Sequence, residues 1–238
     1  MDTFSRVRLL IGSENYQKLK NSSVAVFGVG GVGGYTVEAL ARSGVGRIAV
    51  FDSDTVAKSN INRQIIATED SVGLDKVDVV KARLLSINPE IKVDCFKVFY
   101  LPDNADSFDL SGYDYVVDAV DTVTSKIEII KRAKDVGVPV ISCMGTGGKI
   151  DPTKLTVADI EKTEGCPLAR VMRRELKKRA IKDVKVVYSK DPAIRFENDD
   201  KLEKTDGVKV APASMIFVPA SAGILIAKEV VFDIINGI

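Results

Sequence analysis

The sequence predicts an α/β fold in which helices cover both faces of one mostly parallel sheet. Short apolar runs alternate with segments of helical periodicity from Val24 to Met144, which is the pattern of parallel strands joined by crossover helices. A glycine-rich turn directly follows the first apolar run, as it does in folds that bind nucleotides at the first crossover. The 238 residues, 45% of them hydrophobic, suffice for one large core. We therefore expect a Rossmann-like, doubly wound sheet with a C-terminal strand and helix extension.

Local signals set the bounds of the elements in the first part of the chain. The segment before the first strand is amphipathic, Gly44 and Gly46 end the first crossover helix, and Asn88-Pro89 ends the second. In chain order we predict a helical segment at 1–21, a strand at 24–27, a helix at 33–43, a strand at 48–51, a helix at 76–87, strands at 91–96 and 115–118, a helix at 125–136 and a strand at 138–144.

The remainder, residues 146–238, is predicted to be a substrate-binding extension of a single domain, 1–238, whose nucleotide-binding core is 1–145. Its predicted elements are a strand at 154–160, a basic helix at 167–179 with Pro167 in its first turn, a strand at 184–188, a mobile charged loop at about 189–209 and a closing apolar helix at 220–235. The apolar stretch at 211–227 contains two prolines and a glycine, so it predicts a buried helix and no stable membrane insertion.

Composition excludes several classes of protein. The net charge of +1 indicates no particular partner, and Arg6 and Arg8 interrupt the apolar residues that a signal peptide would need. Three scattered cysteines are too few for a disulfide framework. The absence of histidine removes the commonest metal ligand, and the chain has no paired Cys-x-x-Cys motif, so no zinc is expected. We expect a protein of the reducing cytoplasm.

The glycine turn predicts a phosphate-binding site. It contains Gly28, Gly30, Gly31 and Gly33 between a predicted strand and helix, so its backbone amides can approach phosphate oxygens. Glycines that only permit tight packing of helix on strand are the alternative. Asp52 closes the second strand, the position from which an acidic residue binds ribose hydroxyls.

Polar and charged residues after Asp52 indicate which nucleotide chemistry follows. Asn60, Asn62, Arg63 and Gln64 come soon after it, then Lys76, and Asp121 follows the fourth strand. A dehydrogenase leaves its pyrophosphate intact, whereas an enzyme that cleaves a nucleoside triphosphate needs cations and a metal ligand beside the phosphates. The set favours cleavage of ATP. We expect Asp54 to orient the loop or the metal.

These motifs together resemble the adenylating family related to ubiquitin-activating enzymes. The resemblance covers about residues 4–145 and rests on the glycine turn, Asp52-Ser53-Asp54, the run from Ser59 to Gln64, Gly73 with Lys76, Ile87-Asn88-Pro89 and the run from Asp118 to Asp121. It implies ATP as cofactor, a triphosphate site that includes Asn60, Arg63 and Lys76, and Asp121 as the Mg²⁺ ligand. It also implies a homodimer in which Arg6 reaches the γ-phosphate in the partner subunit; an exposed arginine on a helix surface is the alternative.

Within that family the chain resembles the members that act on tRNA, a resemblance that rests on the runs 39–46, 60–65, 145–152 and 167–169. The resemblance implies that ATP activates the carboxylate of a threonylcarbamoyl group on the adenosine beside the anticodon, that an intramolecular attack closes a ring, and that AMP leaves. The basic helix then offers contacts to the tRNA phosphates; its candidate residues are Arg170, Arg173, Arg174, Lys177 and Lys178. A solvated helix face is the alternative.

Cys166 and the identity of the substrate leave alternatives open. Related enzymes use a cysteine in this region as a nucleophile, and the start of a helix would lower its pKa, yet an intramolecular attack needs no covalent enzyme intermediate. The rival functions are activation of the C-terminal glycine of a sulfur-carrier protein, an NAD-dependent oxidoreductase and a non-catalytic nucleotide-binding module. A sulfur-donor or delivery protein is a further candidate partner.

Overall fold

The computed structural model describes residues 2–194 and 213–238. Seven strands and seven α-helices are described in these two ranges. The strands are β1 Ser23–Phe27, β2 Arg47–Phe51, β3 Lys92–Phe96, β4 Tyr115–Asp118, β5 Val140–Cys143, β6 Leu155–Asp159 and β7 Lys185–Ser189. The helices are α1 Ser5–Ile11, α2 Ser13–Asn21, α3 Gly33–Ser43, α4 Lys76–Ile87, α5 Val123–Asp135, α6 Pro167–Lys178 and α7 Phe217–Asn236.

The strands form one sheet in the order β3-β2-β1-β4-β5-β7-β6. All neighbours pair in parallel except β6 and β7, which pair antiparallel. The chain therefore winds outward from β1 in both directions, and the predicted doubly wound, mostly parallel sheet is confirmed. Because the first five strands run the same way, their carboxyl ends meet at one edge of the sheet, where such folds bind ligands. We call this the carboxyl edge and the opposite one the amino edge.

Alternating residues of the buried strands feed two separate apolar clusters, one on each face of the sheet. Val24 and Val26 point into the cluster that includes residues of α3, α4 and α7, whereas Ala25 and Phe27 point into the cluster that includes residues of α5 and α6. A period of two residues is what strands buried on both faces require. Helix α7, although last in the sequence, thus completes the core of the first half of the chain.

Helices α3 and α7 lie side by side and run in the same direction. A Cβ atom at Gly31, in the turn before α3, would lie 3.3 Å from Cβ of Pro219 in the first turn of α7. Further along, the hydroxyl of Thr36 donates a hydrogen bond to the carbonyl of Gly223 over 3.1 Å. A side chain at Gly223 would overlap the carbonyl oxygen of Val32. Both helices therefore begin at the carboxyl edge.

Two predicted segments differ from the structure. The helix expected over 1–21 is two helices, because Gly12 adopts φ +84° between α1 and α2. The loop expected at about 189–209 cannot begin at Ser189, which ends β7 and is buried. Asp191 is also held, since Lys154 Nζ lies 3.0 Å from its Oδ1; the remainder of that predicted loop, 195–209, lies outside the described residues.

The described helices include none long and apolar enough to cross a membrane. Helix α7 spans 20 residues, but its buried positions face α3 and the sheet. The apolar stretch near the C-terminus therefore contributes to the core, as the sequence predicted.

Candidate active site

The glycine turn between β1 and α3 has a conformation that depends on glycine at two positions. Gly28 has φ +81°, and its amide donates a hydrogen bond to the carbonyl of Phe51 over 2.8 Å. A Cβ atom at Gly33 would overlap the carbonyl oxygen of Gly28, so any larger residue would push α3 away from the turn. The turn amides consequently stay at the N-terminus of α3, where the helix dipole favours an anion.

Asp52 fixes this turn to the end of β2. Its Oδ2 accepts a hydrogen bond from the amide of Val29 over 2.8 Å, and its Oδ1 accepts one from the amide of Asp54 over 2.9 Å. The sequence predicted a ribose contact for this carboxylate and did not foresee that both oxygens would organise the loop. The ribose contact stays a prediction.

Lys76 stands at the first position of α4 with its side chain almost fully buried. Its ammonium lies 2.7 Å from Oδ2 of Asp54 and 4.0 Å from Oδ1 of Asp52. Asp54 itself is mostly exposed, so Lys76 is bound on one side to an open carboxylate beside the glycine turn. An ammonium placed in this way can also bind an anionic ligand that enters at the turn.

The loop that contains Asn60 packs directly on the glycine turn. A Cβ atom at Gly30 would lie 3.6 Å from Nε2 of Gln64, and one at Gly31 would lie 3.5 Å from Cγ of Arg63. The carbonyl of Asn60 accepts the backbone amides of Arg63 and Gln64 over 3.1 and 2.9 Å. The structure thus brings together the turn and the predicted triphosphate residues of this loop, which lie far apart in sequence.

Hydrogen bonds hold the guanidinium of Arg63 in place before any ligand binds. Its Nη1 donates to the carbonyl of Ser59 over 2.9 Å and to Oδ1 of Asn62 over 2.8 Å. Asn62 in turn donates from Nδ2 to the carbonyl of Ser214 over 2.8 Å. Asn62 therefore links the arginine to the lead-in of α7, a role that its position in the motif did not reveal. Within the described residues, buried Gln64 Oε1 has no hydrogen-bond partner.

A charged cluster missed by the sequence analysis lies under the end of β4. Asp118 and Lys126 are fully buried, and Lys126 Nζ lies 3.0 Å from Oδ2 of Asp118. Ser142 of β5 donates its hydroxyl to the same oxygen over 2.5 Å. Asp118, which the sequence places within the fourth strand, is a buried structural residue; the signal for its partner was a lysine in an otherwise uncharged first turn of α5.

Asp121 extends from this cluster as an exposed side chain at the carboxyl edge. A Cβ atom at Gly28 would lie 2.8 Å from the carbonyl oxygen of Ala119, so the segment that carries Asp121 is in contact with the glycine turn. A carboxylate beside a phosphate site suits Mg²⁺, which takes one or two carboxylates together with phosphate oxygens. No group of three or more acidic, cysteine or histidine residues that could hold a metal occurs among the described residues, and a Mg²⁺–ATP complex needs none.

Arg6 lies far from the glycine turn of its own chain. Phe4, at the start of α1, packs at Gly44, where a Cβ atom would lie 3.5 Å from Cδ1 of the phenyl ring. Gly44 ends α3, and the 11 residues of α3 span about 16 Å from the turn. Arg6 is exposed. A contact between Arg6 and ATP in this chain's own site is therefore disfavoured.

Comparison with known proteins identifies the family. The sequence profile of the ThiF family matches residues 4–234. This chain belongs to the ThiF family. The family predicted from the motifs is thereby confirmed, and the match extends beyond residues 4–145, which the family motifs cover.

Several ThiF-family relatives are similar over most or nearly all of the chain. The tRNA threonylcarbamoyladenosine dehydratase of Bacillus subtilis is 45% identical over 242 residues, which cover 99% of this chain and 95% of that protein. The dehydratase of the same name from Escherichia coli is 41% identical over 174 residues, 73% of this chain and 65% of that protein. The crystal structure of E. coli TcdA in complex with ATP has a TM-score of 0.88 at 32% identity and covers 99% of this chain and 94% of that one.

The cysteines of this ThiF-family chain are all at least partly buried. Cys166 caps the N-terminus of α6, as predicted, and its Sγ would lie 3.9 Å from a Cβ atom at Gly145, which follows β5 at the carboxyl edge. Burial raises the pKa of the Cys143 thiol to about 12 and also raises the pKa of Cys95. Cys143 is thus a buried core thiol and Cys95 packs against the core from a partly buried position, whereas Cys166 borders the site.

Helix α6 presents fewer free cations than its sequence suggests. Arg173 donates from Nη1 to the carbonyl of Thr163 over 2.7 Å, so it fastens α6 to the preceding turn. Arg174, Lys178 and Arg179 all pair with Glu175, and the bonds from Lys178 and Arg179 hold the pKa of this carboxyl at about 2. Four exposed cations remain on α6, namely Arg170, Arg174, Lys177 and Lys178, and Glu175 partly offsets the charge of Arg174 and Lys178.

Proposed function

We propose that this protein is an ATP-dependent dehydratase that adenylates the carboxylate of threonylcarbamoyladenosine in tRNA and cyclises it. The observation that carries the proposal is that Lys76, Arg63 and Asp121 all lie at the glycine turn. A site that only binds a nucleotide needs few charged side chains, whereas a site that cleaves ATP needs charges beside the phosphates. Similarity over nearly the whole chain to a protein named tRNA threonylcarbamoyladenosine dehydratase supports this substrate. Structures of E. coli TcdA with ATP and with AMP support the nucleotide chemistry. Both substrates belong to the cytoplasm, where we place the protein.

In the first step an oxygen of the substrate carboxylate attacks the α-phosphorus of ATP. The bond from that phosphorus to the oxygen bridging to the β-phosphorus breaks, and pyrophosphate leaves with the bonding electrons. Lys76 and Arg63 offset the negative charge that grows on the departing pyrophosphate. Because Asp54 already holds Lys76 and Asn62 already holds Arg63 in position, little reorganisation accompanies the reaction.

Asp121 is the residue that would hold Mg²⁺ bound to ATP. When bound, this ion supplies charge neutralisation at the phosphate oxygens. The contact of Gly28 with the carbonyl of Ala119 supports this role, because it brings the segment that carries Asp121 against the glycine turn. Lys76 pairs with Asp54, which follows β2, whereas Asp121 follows β4, the neighbour of β1 on its other side.

In the second step a nucleophilic atom of the same modified nucleoside attacks the activated carbonyl carbon. The bond from that carbon to the AMP oxygen breaks, AMP leaves, and the nucleophile releases its proton. The oxygen that leaves the carboxylate departs with AMP, so the net change in the nucleoside is the loss of water. This attack is intramolecular, and the protein has only to hold the adenylate and limit hydrolysis.

The exposed cations of α6 are the contacts we propose for the tRNA backbone. The first turn of α6 lies at the carboxyl edge, because a Cβ atom at Gly145 would lie 3.8 Å from Leu168. Arg170, Arg174, Lys177 and Lys178 extend from there along the outside of the helix. A phosphate backbone would bind such a row, and its affinity would depend on salt.

The proposed active enzyme is a homodimer in which Arg6 reaches the ATP of the second copy. Exposed apolar side chains support an interface: Leu9 and Leu10 on α1 are more than 80% exposed, and Phe217, Ile224 and Phe232 on α7 are also exposed. Burial of such residues is a large part of what stabilises a dimer. The distance between α1 and its own glycine turn is consistent with a contribution in trans.

The direct test is a reaction with tRNA that carries threonylcarbamoyladenosine, ATP and Mg²⁺. We expect one AMP and one pyrophosphate for each nucleoside that loses water, as measured by mass spectrometry of nucleosides after mild digestion. Unmodified tRNA is the matched control and should yield no AMP. AMP formation that requires a sulfur-carrier protein instead of the modified tRNA would replace this function by the rival one.

Mixing two inactive variants tests the homodimer and the role of Arg6 together. Arg6→Ala and Lys76→Ala should each lose activity, but mixed dimers contain one site with intact Lys76 and an intact Arg6 from the other copy. Activity should therefore return on mixing. Failure to recover in a verified mixed dimer would return Arg6 to an ordinary surface role.

A further inference from the structure

The fully buried ion pair of Asp118 and Lys126 requires an explanation beyond stability. Both side chains are inaccessible to solvent. The free energy lost when two charges are removed from water commonly exceeds the free energy gained from their mutual attraction. Apolar residues of similar volume would fill this position at least as well. A buried pair of this kind is better explained by the geometry that it fixes.

The geometry that it fixes is the segment between the two partners. Lys126 Nζ donates to Oδ1 of Asp118 over 3.1 Å and to the carbonyl of Val120 over 2.8 Å. Asp118 Oδ1 also accepts the amide of Val120 over 3.2 Å. Both backbone polar groups of Val120 are thus bound by the ion pair, and Asp121 is the next residue.

Two further contacts hold this segment at its ends. The amide of Ala119 donates to the carbonyl of Phe27 over 2.8 Å, and the amide of Lys126 donates to the carbonyl of Thr122 over 3.0 Å. The ion pair joins Asp118 to Lys126, eight residues later, and so closes the segment between them into a loop. We call this closed segment, residues 118–126, the ring. Gly28 of the glycine turn rests against this ring at Ala119.

We propose that Lys126 is a positioning residue that fixes the carboxylate of Asp121 against the glycine turn, an inference that rests on the proposed ATP-dependent function. Lys126 acts through the backbone of Val120 and does not touch ATP. Asp118 and Ser142 contribute to the same positioning, because the hydroxyl of Ser142 donates a hydrogen bond that holds the carboxylate of Asp118 in place. Loss of Lys126 releases the carbonyl of Val120, so Asp121 samples orientations that do not face the phosphates.

The experiment measures Mg²⁺ binding without turnover. The full-length protein is saturated with an ATP analogue that has a methylene group between the α- and β-phosphorus, and Mg²⁺ is titrated by thermal shift. In Lys126→Met the half-saturating Mg²⁺ concentration should rise about tenfold or more, as for other residues that orient a metal ligand. Affinity for the analogue in the presence of EDTA should be unchanged, because the glycine turn and Lys76 remain. Excess Mg²⁺ should restore most AMP formation.

Three other variants make the result decisive. Lys185→Met is the matched control: it removes another ion-paired lysine, at the amino edge, and should lower the melting temperature without changing the Mg²⁺ titration. The double variant Asp118→Asn, Lys126→Met leaves no unpaired charge if the single variant does not fold. Ser142→Ala keeps both charges and should give a smaller shift in the same direction.

If every folded variant of the ring had the same half-saturating Mg²⁺ concentration as the wild-type protein, the proposed role of Lys126 would be overturned. This outcome is distinct from failure of the proposed function. In that second case the wild-type protein itself would bind the analogue weakly, and Mg²⁺ would have no effect on any variant.

Discussion

The carboxyl and amino edges of the sheet use charged side chains in different ways. At the amino edge, Asp233 of α7 accepts the hydroxyl of Tyr115 over 2.6 Å and lies 2.6 Å from Nζ of Lys185, which also reaches Glu229. Burial and the hydrogen bond to Asp233 raise the pKa of Tyr115 above its usual range, so this hydroxyl stays a donor. The network connects the first residues of β4 and β7 to the end of α7.

At the carboxyl edge the charges are fixed but not fully matched. Lys76 is bound to one exposed carboxylate, Arg63 is held through one nitrogen to its own loop, and Asp121 is exposed. The amino edge therefore connects the sheet to α7, whereas we propose that the charges of the carboxyl edge serve a ligand. Mutations at the amino edge should therefore lower stability, whereas mutations at the carboxyl edge should lower activity.

The largest effect that we expect is on turnover, from loss of Lys76. Lys76→Met should lower kcat for AMP formation by about 10²- to 10³-fold, because a preorganised charge at the site of developing charge is removed. Lys185→Met is the control at the amino edge: it should lower the free energy of unfolding by about 1–3 kcal/mol and leave kcat unchanged. Steady-state kinetics and urea unfolding measure the two quantities. Equal losses of kcat would erase the distinction between the edges.

Two glycines, one at each edge of the sheet, allow the same comparison of the two edges through steric overlap instead of charge. A Cβ atom at Gly33 would overlap the carbonyl of Gly28, and one at Gly46 would overlap the carbonyl of Lys20 at the amino edge. Alanine at either position should cost about 1–3 kcal/mol of stability through overpacking. Only Gly33→Ala should also weaken ATP binding, because it moves α3 from the turn; calorimetric titration at a temperature where both variants are folded would show this. A comparable loss of affinity in Gly46→Ala would contradict the assignment.

A smaller effect should follow from changing the exposed face of α6. The triple substitution Arg170→Glu, Arg174→Glu, Lys177→Glu should weaken tRNA binding and reduce the salt dependence by about one unit of slope for each phosphate that is no longer neutralised. Arg173 is left intact because it fastens α6 to Thr163. Lys20→Glu with Lys92→Glu provides a charge-reversed control at the amino edge. ATP affinity should not change in either variant; unaltered tRNA binding in the triple variant would make α6 an ordinary solvated face.

The smallest effect should come from Cys166. We expect Cys166→Ser to retain most dehydration activity, because ring closure uses a nucleophile within the substrate. A single-turnover assay that follows AMP and the cyclised nucleoside separately measures this. A folded variant that makes AMP but no cyclised product would place the thiol in the mechanism.

Sequence patterns predicted the local features of this protein because those features depend on near neighbours. The bounds of α3 and α4 agree with the structure, since a glycine turn, a terminal glycine and a proline set them. The ThiF family was also predictable, because its motifs are short and ordered along the chain. The break at Gly12 was missed because a single glycine within an amphipathic segment is also compatible with a continuous helix.

The partners of the site residues required the tertiary structure. Asp52 binds the glycine turn, Asn62 connects Arg63 to the lead-in of α7, and Lys126 pairs with Asp118; in each case the contact crosses between elements, and many different partners would fit the sequence equally well. The roles of these residues in ATP chemistry stay predictions that the variants above will test.

The sequence by itself determined the order of strands and helices, the glycine turn and the family, because periodicity and backbone sterics act within a few residues. Only the tertiary structure decided that α7 packs parallel to α3 and begins beside Gly31, that Arg173 of the basic helix donates an internal hydrogen bond, and that the buried Lys126 binds the carbonyl of Val120, the residue before Asp121. The physical reason is that burial and ion pairing depend on which surfaces come into contact in the folded protein. Those contacts are set by the packing of the whole chain.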